Sequence, residues 1–421
     1  MAGSGKRRRA TVLDDDERRG RRRLEEAALL LHKIKGLVGW VVAEVSAGRS
    51  PSLALHRCQN YCACASAAAA AASLSTWFGS PSLSRLQISA HQTCQILTGV
   101  CASAGCGRAG SACSYDAPVG TDVLSLLRKE FHASRLNVLL RVLLVVQQLL
   151  QENKHCSKRD IYYMYPSMFV EQAIVDRAIN DICILFKCSR HNLNVVPVAK
   201  GLVMGWIRFV EGEKKVYCIT NVNAAFPIPV SIEAIKDVVS VAHYILVVEK
   251  EAVFQRLAND KFCEKNRCIV ITGRGYPDIP TRRFLRYLVE QLHLPAYCLV
   301  DSDPYGFDIL ATYKFGSMQL AYDANVLRVP EIRWLGVFTS DFEEYCLPDC
   351  CQLQLSSEDR RKLEGILIRC YLHKEAPEWR LKLEAMLEMG VKFEIEALSA
   401  SSISFLSQEY IPQQIRLGRY I

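Results

Sequence analysis

From about residue 240 the apolar residues of this chain change their period, and that change restricts the folds open to it. Four short runs, Tyr244 to Val248, Cys268 to Thr272, Tyr297 to Val300 and Ile332 to Phe338, alternate with helical stretches such as Glu251 to Ala258 and Arg282 to Leu292. A fully apolar run of this length suits a strand buried on both faces, and strand alternating with helix argues for a mostly parallel α/β sheet. Residues 356–421 read as mainly helical.

Ligands of such a sheet bind beyond the carboxyl ends of its strands. Glu249 follows the first run, and Asp301 and Asp303 follow the third in Asp301-Ser302-Asp303-Pro304-Tyr305-Gly306. Three oxygen donors at neighbouring strand ends suit Mg²⁺, and phosphoryl chemistry is its natural use. A strand-end Asp is also a common N-cap for the next helix, so the spacing alone leaves both readings open.

Upstream, Leu124 to Leu150 reads as one helical region and Lys158 to Cys188 as a second. Strand-like pieces follow at Asn194 to Val198, Leu202 to Val210 and Lys215 to Thr220. Helices followed by a small hairpin are the winged-helix pattern. The expected organisation is a basic disordered tail (1–23), an amphipathic helical region (24–64), a low-complexity insertion (65–115), a winged-helix domain (116–230) and an α/β domain with C-terminal helices (240–421). Pro227-Ile228-Pro229 reads as a linker. In the helical region Leu30, Ile34, Leu37, Val41 and Val45 share one face, which needs a partner surface, either the chain's own core or another protein.

The winged-helix segment contains Lys158-Arg159-Asp160-Ile161-Tyr162-Tyr163-Met164-Tyr165. A phenol has an ordinary pKa of about 10 and is a poor nucleophile unless a cation favours phenolate and the electrophile is held in line. Arg159 lies four residues before Tyr163, which places both on one helix face. Aromatic clusters at helix starts are also ordinary core.

Charge follows the same division. The 421 residues carry a net +8, with +5 on residues 1–23, +5 on 121–230 and −4 on 231–421. A basic middle segment suits a polyanion, and an acidic half serving the same polyanion needs cations to mediate contact. Clusters Lys6 to Arg9 and Arg18 to Arg23 suit a bipartite nuclear-import signal. No secretory signal and no membrane span are expected, the longest apolar stretch being Leu136 to Leu150, so the 18 cysteines are expected to be reduced thiols. Cys58/Cys62/Cys64 and Cys346/Cys350/Cys351 lack zinc-finger spacing. Gly273-Arg274-Gly275 is too short for a dinucleotide fingerprint, and His155 and His191 have no evident partner.

Together these constellations make the chain resemble the topoisomerase VI A-subunit family, with a Toprim domain for the metal. Within that family it is most similar to the plant type of the eukaryotic meiotic branch, the Spo-eleven proteins. The resemblance rests on Lys158-Arg159-Asp160-Ile161-Tyr162-Tyr163, Lys200-Gly201-Leu202, Val248-Glu249-Lys250-Glu251, Gly273 to Asp278, Val300 to Gly306 and Lys314-Phe315-Gly316-Ser317. It implies a CAP-like winged-helix domain followed by a Rossmann-like Toprim domain. It further implies Tyr163 as nucleophile, Arg159 as its electrostatic helper, Glu249, Asp301 and Asp303 as Mg²⁺ ligands, and Lys200 and Tyr276 as DNA contacts. The implied reaction is transesterification on double-stranded DNA, leaving a 5′-phosphotyrosyl link and initiating meiotic recombination in the nucleus. The implied assembly is a homodimer, or a heterodimer with a related A-type subunit, joined by a topoisomerase VI B-like subunit. The chain has no Gly-x-x-x-x-Gly-Lys-Ser/Thr phosphate loop, so an ATP-coupled type IIB topoisomerase would need its ATPase on that partner. A non-catalytic DNA-binding scaffold is the remaining alternative.

Overall fold

A computed structural model describes residues 4–58, 118–125, 130–196, 199–212, 214–317 and 327–421. The chain divides into two compact units, Met1–Val195 and Val196–Ile421.

The first unit is helical with a small sheet. Helix α1 runs Ser4–Ser46, so the basic stretch expected as a disordered tail lies on the same helix as the amphipathic segment. Lys, Arg, Glu and Ala are good helix formers and no proline interrupts them. Leu30, Ile34, Leu37 and Val41 are buried, and the first three join the unit's core, so that face is covered by the chain itself. Val45 is left 53% exposed. Strand β1 (Ser52–Cys58) then pairs antiparallel with β2 (Pro118–Ser125), Ser52 opposite Ser125 and Cys58 opposite Pro118. Leu124 therefore sits in a strand, and α2 begins only at Glu130, running to Gln151. Within α2, Phe131–Gln151 is long and apolar enough to cross a membrane by length and composition, but Leu139, Val142, Leu143 and Val146 are buried in the unit's core, where α2 packs against α4 (Gln172–Phe186). The insertion expected at 65–115 lies outside the described residues.

Helix α3 (Lys158–Met164) starts where it does because of a reciprocal cap. The Asp160 amide donates to Ser157 Oγ at 3.2 Å, and the Ser157 amide donates to Asp160 Oδ2 at 2.7 Å. It ends at Pro166, whose ring disfavours helical backbone at Tyr165.

The second unit holds the expected mostly parallel sheet, of six strands. Strands β8 (Tyr244–Val248), β9 (Cys268–Thr272), β10 (Ala296–Leu299) and β11 (Arg333–Gly336) are parallel, while β3 (Leu202–Gly205) and β6 (Phe226–Pro227) add an antiparallel edge. Across the sheet they lie in the order β11-β10-β8-β9-β3-β6. Every residue of β8, β9 and β10 is buried.

Here the sequence reading of the hairpin and of the domain boundary is corrected. Leu202 to Val210 is two strands: β3 pairs with β9, whereas β4 (Ile207–Glu211) joins β5 (Lys214–Tyr217) and β7 (Ile235–Ser240) in a separate sheet. The turn between them is at Gly205, whose φ is +115° and where a Cβ would stand 2.2 Å from the Cys268 carbonyl oxygen. The first unit's own antiparallel pair is β1 with β2, placed between α1 and α2. Pro227-Ile228 is a sheet edge with Ile228 buried, not a linker.

Candidate active site

Strand β8 has β9 on one side and β10 on the other, so the order of crossovers reverses there and a crevice opens at the carboxyl ends of β8 and β10. Glu249 and Asp301 stand at those two ends. The Asp301 amide donates to Glu249 Oε2 at 2.9 Å. Asp301 Oδ1 accepts the Ile395 amide at 2.9 Å, and its Oδ2 lies 3.0 Å from Lys250 Nζ. Lys250 Nζ also meets Glu394 at 2.9 Å and Glu396 at 2.8 Å.

Asp303 has a second duty. It is the N-cap of α5 (Pro304–Lys314), its Oδ1 accepting the Gly306 amide at 2.6 Å. The capping reading of this strand-end Asp therefore holds alongside any ligand role. Gly306 is required at its place: a Cβ there would stand 2.5 Å from the Asp301 carbonyl oxygen and 3.0 Å from Glu249 Oε2.

Burial, followed by the charge of Asp301, pushes the Glu249 carboxyl up to about 8. Burial also pushes Asp301 up to about 6 and raises Asp303, against the pull of Lys250 on the former and of the Gly306 amide on the latter. Carboxylates crowded in a crevice with raised pKa values fit a cation-binding role, since a divalent ion offsets both desolvation and mutual repulsion. Among the described residues, no three His, Cys, Asp or Glu side chains close into a metal cage in this conformation.

Lys200 and Tyr276 flank the same strand end. The Lys200 amide donates to Asp278 Oδ2 at 2.6 Å, and its Nζ donates to the Arg274 carbonyl at 3.2 Å. The loop Gly273 to Asp278 is fixed to β8 by the Gly275 amide, which donates to the Glu249 carbonyl at 2.9 Å. Tyr276 is 43% exposed, and its hydroxyl donates to Asp308 Oδ2 at 2.7 Å.

In the first unit, Ile161 faces the core with no exposure and fixes the rotation of α3. Tyr162 is half-buried against that core and donates to the Val170 carbonyl at 3.3 Å. Tyr163 is 64% exposed, its ring touching the Tyr162 ring edge-on at 5.1 Å between centroids. Arg159 is exposed one turn earlier, and no hydrogen bond joins it to Tyr163 among the described residues.

Comparison with known proteins decides the family. Residues 244–415 match the Toprim domain of the topoisomerase 6 A-subunit/Spo11 family, and residues 134–195 match the type IIB DNA topoisomerase family. The chain is 76% identical over 392 residues to meiotic recombination protein SPO11-1 of Oryza sativa subsp. indica, covering 93% of each. The protein of the same name from Arabidopsis thaliana is 54% identical over 387 residues, covering 92% of this chain and 95% of that one. The A subunit of DNA topoisomerase 6 from Arabidopsis thaliana is 36% identical over 276 residues, 66% of this chain and 64% of that one.

The chain belongs to the topoisomerase 6 A-subunit/Spo11 family. Its second unit contains the Toprim domain, and the Toprim domain of topoisomerases generally uses a divalent metal.

Several groups around the Toprim carboxylates were not read from the sequence. Asp308, one turn beyond Asp303, accepts Lys362 Nζ at 2.8 Å and Arg369 at 2.6 Å besides Tyr276. Burial alone would raise its pKa, but Arg369 and then Lys362 outweigh it and hold the carboxyl below the ordinary value. The Lys362 ammonium lies 4.7 Å from the Tyr305 ring centroid. Only Lys250 had a local signal, a lysine set between Glu249 and Glu251. The two cations that meet Asp308 lie more than fifty residues further along the chain.

Proposed function

We propose that this chain makes the DNA double-strand breaks that initiate meiotic recombination, with Tyr163 as the nucleophile. The observation that carries the assignment is the contrast within the tyrosine pair: Tyr163 is 64% exposed, whereas the Tyr162 hydroxyl is bonded to Val170 and its ring is packed on the core. An attacking phenol must reach a phosphorus atom, which supports the exposed ring of the pair over the packed one.

In the proposed step the Tyr163 oxygen forms a bond to a backbone phosphorus and the bond from that phosphorus to the 3′ oxygen breaks. The phenolic proton leaves to solvent, the departing 3′ oxygen takes up a proton, and the protein remains joined to the 5′ end. Arg159, on the same helix face, stabilises the phenolate and the charge on the phosphate. Glu249, Asp301 and Asp303 would hold Mg²⁺, which supplies charge neutralisation to DNA phosphates when bound. Lys200 and the Tyr276 loop contact DNA beside them.

The names of the relatives at 76% and 54% identity support the meiotic role over that of a topoisomerase 6 component, where identity is 36%. We infer a nuclear protein working on double-stranded DNA as a homodimer, or a heterodimer with a related A-type subunit, together with a B-type subunit.

Covalent capture tests the assignment. The protein, a B-type partner, Mg²⁺ and end-labelled duplex are denatured in detergent and assayed for protein-linked 5′ ends. The expected result is an adduct with wild type and Tyr162→Phe and none with Tyr163→Phe. An adduct surviving Tyr163→Phe would overturn it.

A further inference from the structure

The Asp301-Ser302-Asp303 turn is strapped by a segment from far along the chain. The Ser302 amide donates to the Phe393 carbonyl at 3.0 Å, and the Phe393 amide donates back to the Ser302 carbonyl at 3.3 Å. Two residues later the Ile395 amide donates to Asp301 Oδ1. Phe393 and Ile395 are buried in the core of the unit, so the strap is fixed by its own packing.

Glu394 and Glu396 alternate with those two, and both meet Lys250 Nζ, whose third carboxylate partner is Asp301 Oδ2. An ammonium carries three N–H donors and no acceptor, so three carboxylates match it fully. Asp301 is thereby held at each oxygen, at one by the Ile395 amide and at the other by Lys250. Lys250 is held in turn by the strap. Glu394 is exposed and Glu396 half-buried, and ion pairs so open to solvent add little to stability. Their geometric effect is larger, because they set where the Lys250 ammonium sits against Asp301.

We propose that Glu394 and Glu396 are positioning residues for the divalent ion, fixing the Asp301 carboxylate by holding Lys250 against it. The proposal rests on the reading of Glu249, Asp301 and Asp303 as the metal ligands. Groups that orient a metal-binding side chain from behind change metal affinity by about 10–100-fold when they are lost. Charge alone would act at a distance, whereas orientation needs the glutamates to reach Lys250, so side-chain length separates the two.

The test is the affinity of the full chain for Mg²⁺, read by calorimetry, together with Tm in EDTA. Glu394→Asp with Glu396→Asp keeps both charges and shortens each arm by one methylene. This pair should weaken Mg²⁺ binding by about 10–100-fold while Tm in EDTA stays near that of wild type. Wild-type affinity in the shortened pair would overturn the proposal. The same pair placed on Lys250→Met should bring no further loss, since the link it breaks is already gone. Lys250→Gln serves for this comparison if Lys250→Met does not fold. An undiminished loss in that background would also overturn the proposal, because the glutamates would then act on the ion directly. A wild-type protein that bound no Mg²⁺, or one in which Glu249→Gln and Asp301→Asn left binding unchanged, would remove the metal reading and the proposal with it. Weakened binding in Glu249→Gln beside wild-type binding in the shortened pair would remove the positioning role alone.

Discussion

The amide of Asp301 donates to the Glu249 carboxylate, so the ends of β10 and β8 are tied by one of the carboxylates proposed to hold the metal. Glu249 is thus both a structural acceptor and an ionisable group whose burial disfavours its charge. Its role depends on pH.

With Glu249 raised to about 8 and Asp301 to about 6, the folded protein binds protons in that range that the unfolded chain has released. Their contribution to stability is full below the ordinary carboxylate values near 4 and is lost as pH rises through 6 and then 8. Mg²⁺ should raise Tm more at pH 8 than at pH 6, where protons compete for the same oxygens. Calorimetric titration in two buffers of different ionisation enthalpy should show proton release on Mg²⁺ binding, reduced in Glu249→Gln. Equal release by wild type and the variant would remove Glu249 from the site.

Gly306→Ala should be destabilising although alanine is the better helix former. The new methyl meets the Asp301 backbone and the Glu249 carboxylate inside ordinary contact distance. Overpacking of this kind costs about 1–3 kcal/mol, against a propensity gain of roughly 1 kcal/mol. A lowered Tm together with weakened Mg²⁺ binding is expected. An unchanged Tm would show that the crevice yields.

Asp308→Ala should leave Lys362 and Arg369 without their shared carboxylate and lower stability by about 3 kcal/mol. The native carboxyl lies below its ordinary value, so its stabilisation is present at neutral pH and disappears as pH falls through the folded value. Urea unfolding at pH 7 and at pH 3 should show the difference between wild type and variant shrinking at the lower pH.

Tyr162→Phe removes a hydroxyl bonded to the Val170 carbonyl while its ring keeps its packing. A loss of about 1 kcal/mol in urea unfolding, with adduct formation retained, is expected. Loss of the adduct at unchanged stability would move the nucleophile to Tyr162.

Much of the Toprim core was legible because β8, β9 and β10 are buried on both faces and therefore read as unbroken apolar runs. The strand-end acids could be picked out for the same reason, since a carboxylate after five apolar residues marks where a buried strand meets water. What escaped was non-local. The break at Gly205 was missed in Leu202 to Val210 because the residues on either side suit a strand; a lone glycine there signals a bulge or a close backbone approach, here that of Cys268, without saying that the chain changes sheet. Leu124 resembled the start of a helix because its pairing partner, Leu53, lies far upstream. Nothing local separated Tyr162 from Tyr163, whose difference follows from the burial of Ile161 and hence from the rotation of α3 on its neighbours.

The pairing of Cys58 with Pro118 has a modular consequence. Residues 58 and 118 are neighbours on one ladder, so the two ends of the passage between them stand side by side whatever its length. Each doubling of such a passage costs only about 0.6 kcal/mol of closure entropy. A change in the length of that passage should therefore cost little and leave the paired strands and the tyrosine helix in place.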